Sequence, residues 1–243
     1  AVLESLVWVG LATVLAGTAG VLASRDLGAF TAYLTIVSVG LMLVGVGLFT
    51  PEGTSAALFY LVQSALLLAG LFLLREVVAG ERAQAADCFT RGPRLARAAI
   101  LPALFWLFAA AAVGLPPLTG FFGKLMLLRS AEDSVVQLVI WSVVLVSSLL
   151  LTLSAANAGS AMFWDRTPRS EPVDSSRAAT PIAPVVIAAA LQFVLVLGAE
   201  PLRAYTAATA LELHAADGYR AAVLGSRAHS KADAALMGTE ISP

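Results

Sequence analysis

Charge is scarce in this chain: Asp, Glu, Lys and Arg make up 13% of its 243 residues, where a soluble domain carries about 25%. Beside 59% apolar residues and a mean hydropathy of +0.86, that scarcity excludes a water-soluble single domain and a disordered chain. Net charge is −1, from 15 basic against 16 acidic residues, so no basic excess points to nucleic acid. Cysteine is nearly absent, and Cys88 alone excludes a disulfide framework or a multi-cysteine metal site. The two histidines, His214 and His229, fall in the C-terminal tail, leaving no imidazole inside an apolar run. Phosphate loops, nucleotide fingerprints and nucleophile elbows are missing too. No metal and no cofactor is expected, and a membrane-embedded enzyme is the least supported reading. What remains is a polytopic membrane protein.

A bilayer core of about 30 Å takes roughly 20 apolar residues in a helix. The long unbroken runs lack the period-2 alternation of a barrel, which predicts an all-α integral membrane fold of about six transmembrane helices. The runs are 6–24, 27–50, 56–74, 98–128, 135–156 and 181–198. Gly114-Leu115-Pro116-Pro117-Leu118-Thr119-Gly120 interrupts the fourth. The charged stretches Arg75–Arg97 and Arg166–Arg177 read as loops. The division is a helical bundle over 1–198 and a peripheral, partly helical tail over 199–243. The opening Ala-Val-Leu-Glu, without Met or a basic stretch, reads as a processed chain or a piece of a longer one rather than a signal peptide.

Loop charge predicts orientation. The loops after the first, third and fifth runs hold Arg25, then Arg75, Arg82, Arg91, Arg94 and Arg97, then Arg166, Arg169 and Arg177, nine of the fifteen basic residues. The opposite side has only Arg129, beside the 130–134 loop. The basic-inside bias puts the Arg-rich loops in the cytoplasm and both termini outside.

Lys124 is the most informative residue, the one lysine before the tail, set in Phe121-Phe122-Gly123-Lys124-Leu125-Met126-Leu127-Leu128. A lysine at mid-bilayer costs about 2.5–3.5 kcal/mol on insertion scales. Two readings account for it. Along a straight helix from Ala98 it would lie roughly 39 Å in and reach the headgroups along its stem. In a helix broken at Pro116, Pro117 and Gly120, the chain after the break re-enters at depth and the amine lines a polar cavity. A buried amine suits proton transfer, because burial disfavours its charged form and nearby charges can switch it. The carboxylates Glu4, Asp26, Glu52, Glu76 and Asp165 all sit at run edges, so a permanent partner would come from elsewhere.

Smaller polar groups dot the runs: Thr31, Thr35, Ser38, Gln63, Ser64, Ser147, Ser148, Thr152 and Ser154. Most such groups bond their own or a neighbouring helix. Gln63 is the exception, since an amide with two donors and an acceptor seeks a partner or water. Trp8, Trp106, Trp141 and Trp164 suit interfacial anchoring.

The stretch Leu115-Pro116-Pro117-Leu118-Thr119-Gly120-Phe121-Phe122-Gly123-Lys124 resembles the broken-helix motif of the proton-conducting antiporter family shared by Mrp-type multisubunit Na⁺/H⁺ antiporters and respiratory complex I. Asp26-Leu27 with Ala32-Tyr33 and Gly40, and Ala56–Ser64 with Leu71–Leu74, are similar to the family's segments around its tenth and eleventh helices. The ending Tyr219–Gly225 is similar to the close of the D-type Mrp subunits. The resemblance spans nearly the whole chain and covers the C-terminal half of a fourteen-helix fold, its ninth to fourteenth helices.

The resemblance implies a subunit of a multisubunit monovalent cation (Na⁺)/proton antiporter in a bacterial inner membrane. Its implied partners are other membrane subunits of a hetero-oligomeric complex, the lipid bilayer, protons and Na⁺. Lys124 would be the proton-translocating residue, with Gln63, Ser64, Thr35 and Ser38 as a supporting polar path. Relatives usually carry a histidine where this chain has Gln63, which relays protons only through water. Many carry Lys-Arg where this chain has Gly28-Ala29, and the family's Lys–Glu pair lies in its first half. The alternatives are an antiporter-like proton-pumping subunit of a complex I or membrane hydrogenase, and a non-transporting membrane scaffold.

Overall fold

In lipid a chain has only its own carbonyls for its amides to bond, so apolar runs coil. The computed structural model describes residues 2–82, 86–90, 97, 99–131, 134–164 and 181–215. They form α1 (Val2–Ala23), α2 (Leu27–Gly47), α3 (Pro51–Arg82), α4 (Ile100–Val113), α5 (Thr119–Arg129), α6 (Ser134–Gly159), a π-helical turn (Ser160–Trp164), α7 (Ala183–Leu197) and α8 (Ala199–His214). No strand occurs among the described residues beyond one isolated bridge, Asp26 to Cys88.

Four helices are long and apolar enough to cross a membrane alone: α1 from Ser5, α2, α3, and α6 with its π turn. α7 qualifies only with α8, from which it is bent by 73°. α4 is shorter, 14 residues or about 21 Å, and with α5 forms the broken fourth segment. The six runs therefore resolve as four full-length helices, one broken segment and one short helix. The core lies along α2 and α3, where Phe30, Leu41, Phe59, Leu67, Leu71 and Leu74 are fully buried. α1 and α2 pack backbone to backbone: a Cβ on Gly40 would lie 2.8 Å from the Val14 amide nitrogen.

Several boundaries differ from the sequence reading, three of them around α2 and α3. α2 stops at Gly47 rather than Thr50, because Phe49 turns the chain at φ +52°. The Thr50 hydroxyl then accepts from the Gly53 N–H at 3.0 Å, and Pro51 supplies the first helical position, so α3 begins five residues before the predicted Ala56. At its other end α3 runs on through Arg75, Glu76 and Arg82, all assigned to a loop on charge. Its 32 residues span about 48 Å, so the last turns pass beyond the apolar stretch 56–74. The stretch Arg166–Arg177 lies outside the described residues.

That extension ties α2 to α3. Asp26 caps α2 by accepting from the Ala29 N–H at 2.7 Å. Asp87 accepts from Arg75 Nε at 2.7 Å and from the Gly28 N–H at 3.0 Å. Gly28 leaves room for this, since a Cβ there would lie 2.6 Å from Arg75 Nε. The Leu27 N–H donates to the Asp87 carbonyl and the Phe89 N–H to the Arg25 carbonyl. The buried Arg82 guanidinium donates to the carbonyls of Ala86, Cys88 and Thr90. Burial by itself would raise the Asp87 carboxyl, but the Arg75 hydrogen bond and the Gly28 N–H outweigh it and hold it below its ordinary value.

At the fourth segment, α4 ends on Gly114 at φ +87°, a left-handed conformation that favours glycine. Residues 115–118 make the connection, and α5 restarts at Thr119. Gly120 thus lies on the first turn of α5 and not in the break. Its task is close approach, because a Cβ there would overlap the Ala111 carbonyl oxygen of α4. The tail opens with α8, whose Thr206 hydroxyl lies 3.2 Å from Ser55 Oγ on α3. His214, far from the apolar runs in sequence, sits 3.0 Å from Thr54 Oγ1 and stacks edge-on against Phe49.

Two outcomes follow from this packing. Gly120→Ala is expected to cost about 1–3 kcal/mol or more, read as a lower Tm in detergent; an unchanged melt would mean that α4 and α5 do not approach so closely. Asp87 is held low in the folded state, so its stabilisation is present above the ordinary carboxylate range and lost as pH falls through the depressed value. Asp87→Asn is therefore expected to melt below wild type at pH 7 and to converge with it in acid; a gap independent of pH would refute the role.

Candidate functional site

A helix that stops inside a bilayer leaves its last carbonyls without partners or water. α4 stops at Val113, and Lys124 of α5 meets its open end. The Lys124 ammonium donates to the Val113 carbonyl at 2.6 Å, to the Ala112 carbonyl at 3.1 Å and to Ser148 Oγ of α6 at 3.0 Å. Three protons meet three acceptors, so the buried cation, 7% exposed, is fully hydrogen-bonded. The carbonyl end of α4 also carries the negative end of its dipole, which favours a cation there. The stem of the lysine packs over the turn, with Lys124 Cδ 3.1 Å from where a Cβ of Gly114 would stand. The amine points into the bundle.

On one side Lys124 lines a cleft of about 260 Å³ with Val113, Leu115, Phe121, Ser148 and Thr152. Leu145 and Leu149, both exposed, flank its opening. On the other side it faces Val14 and Val37 of the first two helices, beside Ser147 and Ser148. Chemically, the Ser148 hydroxyl accepts from an ammonium and can turn to donate to a neutral amine. A serine in this place can therefore follow a proton on and off the lysine.

The other sequence candidates divide by partner. Thr35 donates to the Thr31 carbonyl at 3.0 Å and Ser64 to the Leu61 carbonyl at 3.2 Å, local bonds within their own helices. Ser38 of α2 is buried, close to the Tyr60 hydroxyl of α3. Gln63 lies at the break, its Nε2 3.4 Å from where a Cβ of Gly120 would stand. Pro116 and Pro117 form the connection between α4 and α5. The structure thus brings Lys124 and Gln63 to the same interruption and leaves Thr35 and Ser64 bonded within their helices.

Four contributors were not singled out from sequence. The Ala112 and Val113 carbonyls are backbone atoms in an unremarkable Ala-Val stretch. Ser148 stood among several serines given a structural reading. Gln192, the one amide in the sixth run, was detectable by the argument that drew attention to Gln63. Among the described residues no group of three or more His, Cys, Asp or Glu side chains could hold a metal.

Comparison with known proteins points the same way. The family described as NADH:quinone oxidoreductase/Mrp antiporter, TM, matches residues 1–152. The chain is 28% identical over 223 residues to the D-type Na(+)/H(+) antiporter subunit of Bacillus subtilis, covering 91% of this chain and 44% of that protein. It is 31% identical over 242 residues to the probable D-type K(+)/H(+) antiporter subunit of Rhizobium meliloti, covering 86% and 44%. It therefore spans less than half the length of either relative. A chain in the structure of the Mrp complex from Dietzia sp. DQ12-45-1b shares the fold, with a TM-score of 0.76 and 24% identity over 91% of this chain and 49% of that one. With a Pro-Pro interruption, a lysine on the severed carbonyls and a family match across most of its helices, the chain belongs to the NADH:quinone oxidoreductase/Mrp antiporter membrane-protein family.

Proposed function

We propose that the chain is part of a multisubunit monovalent cation (Na⁺)/proton antiporter and contributes a stretch of transmembrane proton path through Lys124. The observation that carries this is the buried Lys124 ammonium, bonded to the open end of α4 and to a hydroxyl that can reverse its hydrogen bond. A side chain serving only as an anchor would lie at the membrane surface. Here the one lysine before the tail stands inside the bundle, beside a cleft. Support also comes from the relatives named as Na(+)/H(+) and K(+)/H(+) antiporter subunits.

In this reading protons reach Lys124 along polar groups of α2 and α3, Ser38 and Gln63 foremost, with Thr35 and Ser64 offering acceptor lone pairs. The partners are other membrane subunits, including whatever supplies the remainder of the path, together with lipid, protons and Na⁺. The Arg-rich loops face the cytoplasm of a bacterial inner membrane and both termini lie outside, on the charge asymmetry of the loops. A second reading is a proton-pumping subunit of a redox-driven complex, favoured by the NADH:quinone oxidoreductase half of the family description. Redox subunits co-purifying with the chain would select it.

Exchange in membrane vesicles tests the proposal. Lys124→Ala removes both charge and cap, so it is expected to lose exchange and some folded protein. Lys124→Arg retains a cation and donors for the α4 carbonyls but does not release its proton. It is expected to assemble and still lose more than about tenfold of cation-driven proton movement, a change of about 1.4 kcal/mol or more. Undiminished exchange by the arginine variant would reduce Lys124 to a structural cap and leave the scaffold reading.

A further inference from the structure

The first turn of α5 meets a second polar group of side chains. α5 begins without a side-chain cap, since Leu118 offers none, and the first N–H groups of a helix have no partner within it. Onto this first turn α3 brings Gln63, 1% exposed, with neither Nε2 nor Oε1 hydrogen-bonded. α7 brings Gln192, 0% exposed, whose Oε1 accepts from Thr119 Oγ1 at 3.3 Å while its Nε2 is unpaired. Thr119 and Gly120 are adjacent, so α3 and α7 each bring a buried amide with unused atoms, three in all, to the first turn of α5. A buried polar atom left unpaired is costly, and three such atoms match the usual valence of a buried water, about three hydrogen bonds.

We infer that the first turn of α5 holds an internal water between Gln63 of α3 and Gln192 of α7, with Gln192 a positioning residue for it. The chemistry selects water over an ion. The start of α5 carries about half a positive charge and presents N–H donors, and two of the three unused atoms are amide donors, a set that disfavours Na⁺. An anion would be buried without a cation, since the Lys124 ammonium is engaged at the end of α4. Water satisfies donors and acceptor together. The inference deepens the proton-path reading and rests on it: an amide does not titrate, so Gln63 serves such a path only by holding the water that does the relaying.

The test uses the chain in its native membrane assembly. A density map fine enough to resolve water is expected to show a peak at hydrogen-bond distance, about 2.7–3.2 Å, from Gln63 and from Gln192 Nε2. Gln192→Met keeps the length of the side chain and removes its donor. It is expected to erase or weaken that peak and to lower exchange roughly fivefold or more. A map with Gln63 paired directly to another side chain and no peak overturns the inference, as does a Gln192→Met variant that exchanges at the wild-type rate. The two readings fail separately. If Lys124→Arg loses exchange while Gln192→Met does not, the proton path stands and the water relay falls. If Lys124→Arg exchanges normally, the path falls and the density peak alone still decides the water.

Discussion

The contact on which the rest of this molecule depends is an ammonium resting on the severed end of a helix. Breaking a helix inside a bilayer strands carbonyls where no water can reach them, and placing a lysine at the same depth strands a charge. Each carries a cost of up to several kcal/mol alone. Together they cancel, because the Lys124 amine brings three donors to the Val113 and Ala112 carbonyls and the Ser148 hydroxyl. The interruption and the cation therefore imply one another: remove the break and the lysine has no acceptors, remove the lysine and the break has no donors.

Around that contact the fold is arranged to keep two helix halves close and in register. Gly120 lets α5 press against the backbone of α4, and Gly114 supplies the left-handed turn between them. At the far end of α3, Arg75, Asp87 and Arg82 lace the following segment onto the start of α2. Interactions between helices are weakly driven in lipid, where apolar contact with a neighbour is little better than contact with acyl chains. Close backbone approach and polar ties at helix ends then carry more of the burden of uniqueness than they do in a soluble core.

Two polar environments meet at the interruption. One holds the lysine, with a hydroxyl able to reverse its hydrogen bond and a cleft open beside α6. The other holds amides and a helix N-terminus, groups that orient water and do not titrate. The relatives matched are more than twice as long as this chain.

The sequence by itself determined that the chain lives in a membrane, that its long runs are helical, that the fourth run is interrupted and that Lys124 is the residue to explain. These are composition and spacing properties, written in side-chain chemistry along a single run. Helix ends were less legible: α3 reaches Arg82 because Asp87, five residues on, returns to neutralise Arg75, a pairing that charge counting reads as loop. Only the tertiary structure decided what the lysine touches, since its main acceptors are backbone oxygens of another helix, and every residue has those. It alone brought Gln63 and Gln192, 129 positions apart, to one turn of α5, and His214 to Phe49. Contacts across helices depend on packing geometry, which a linear pattern of apolar and polar residues does not record.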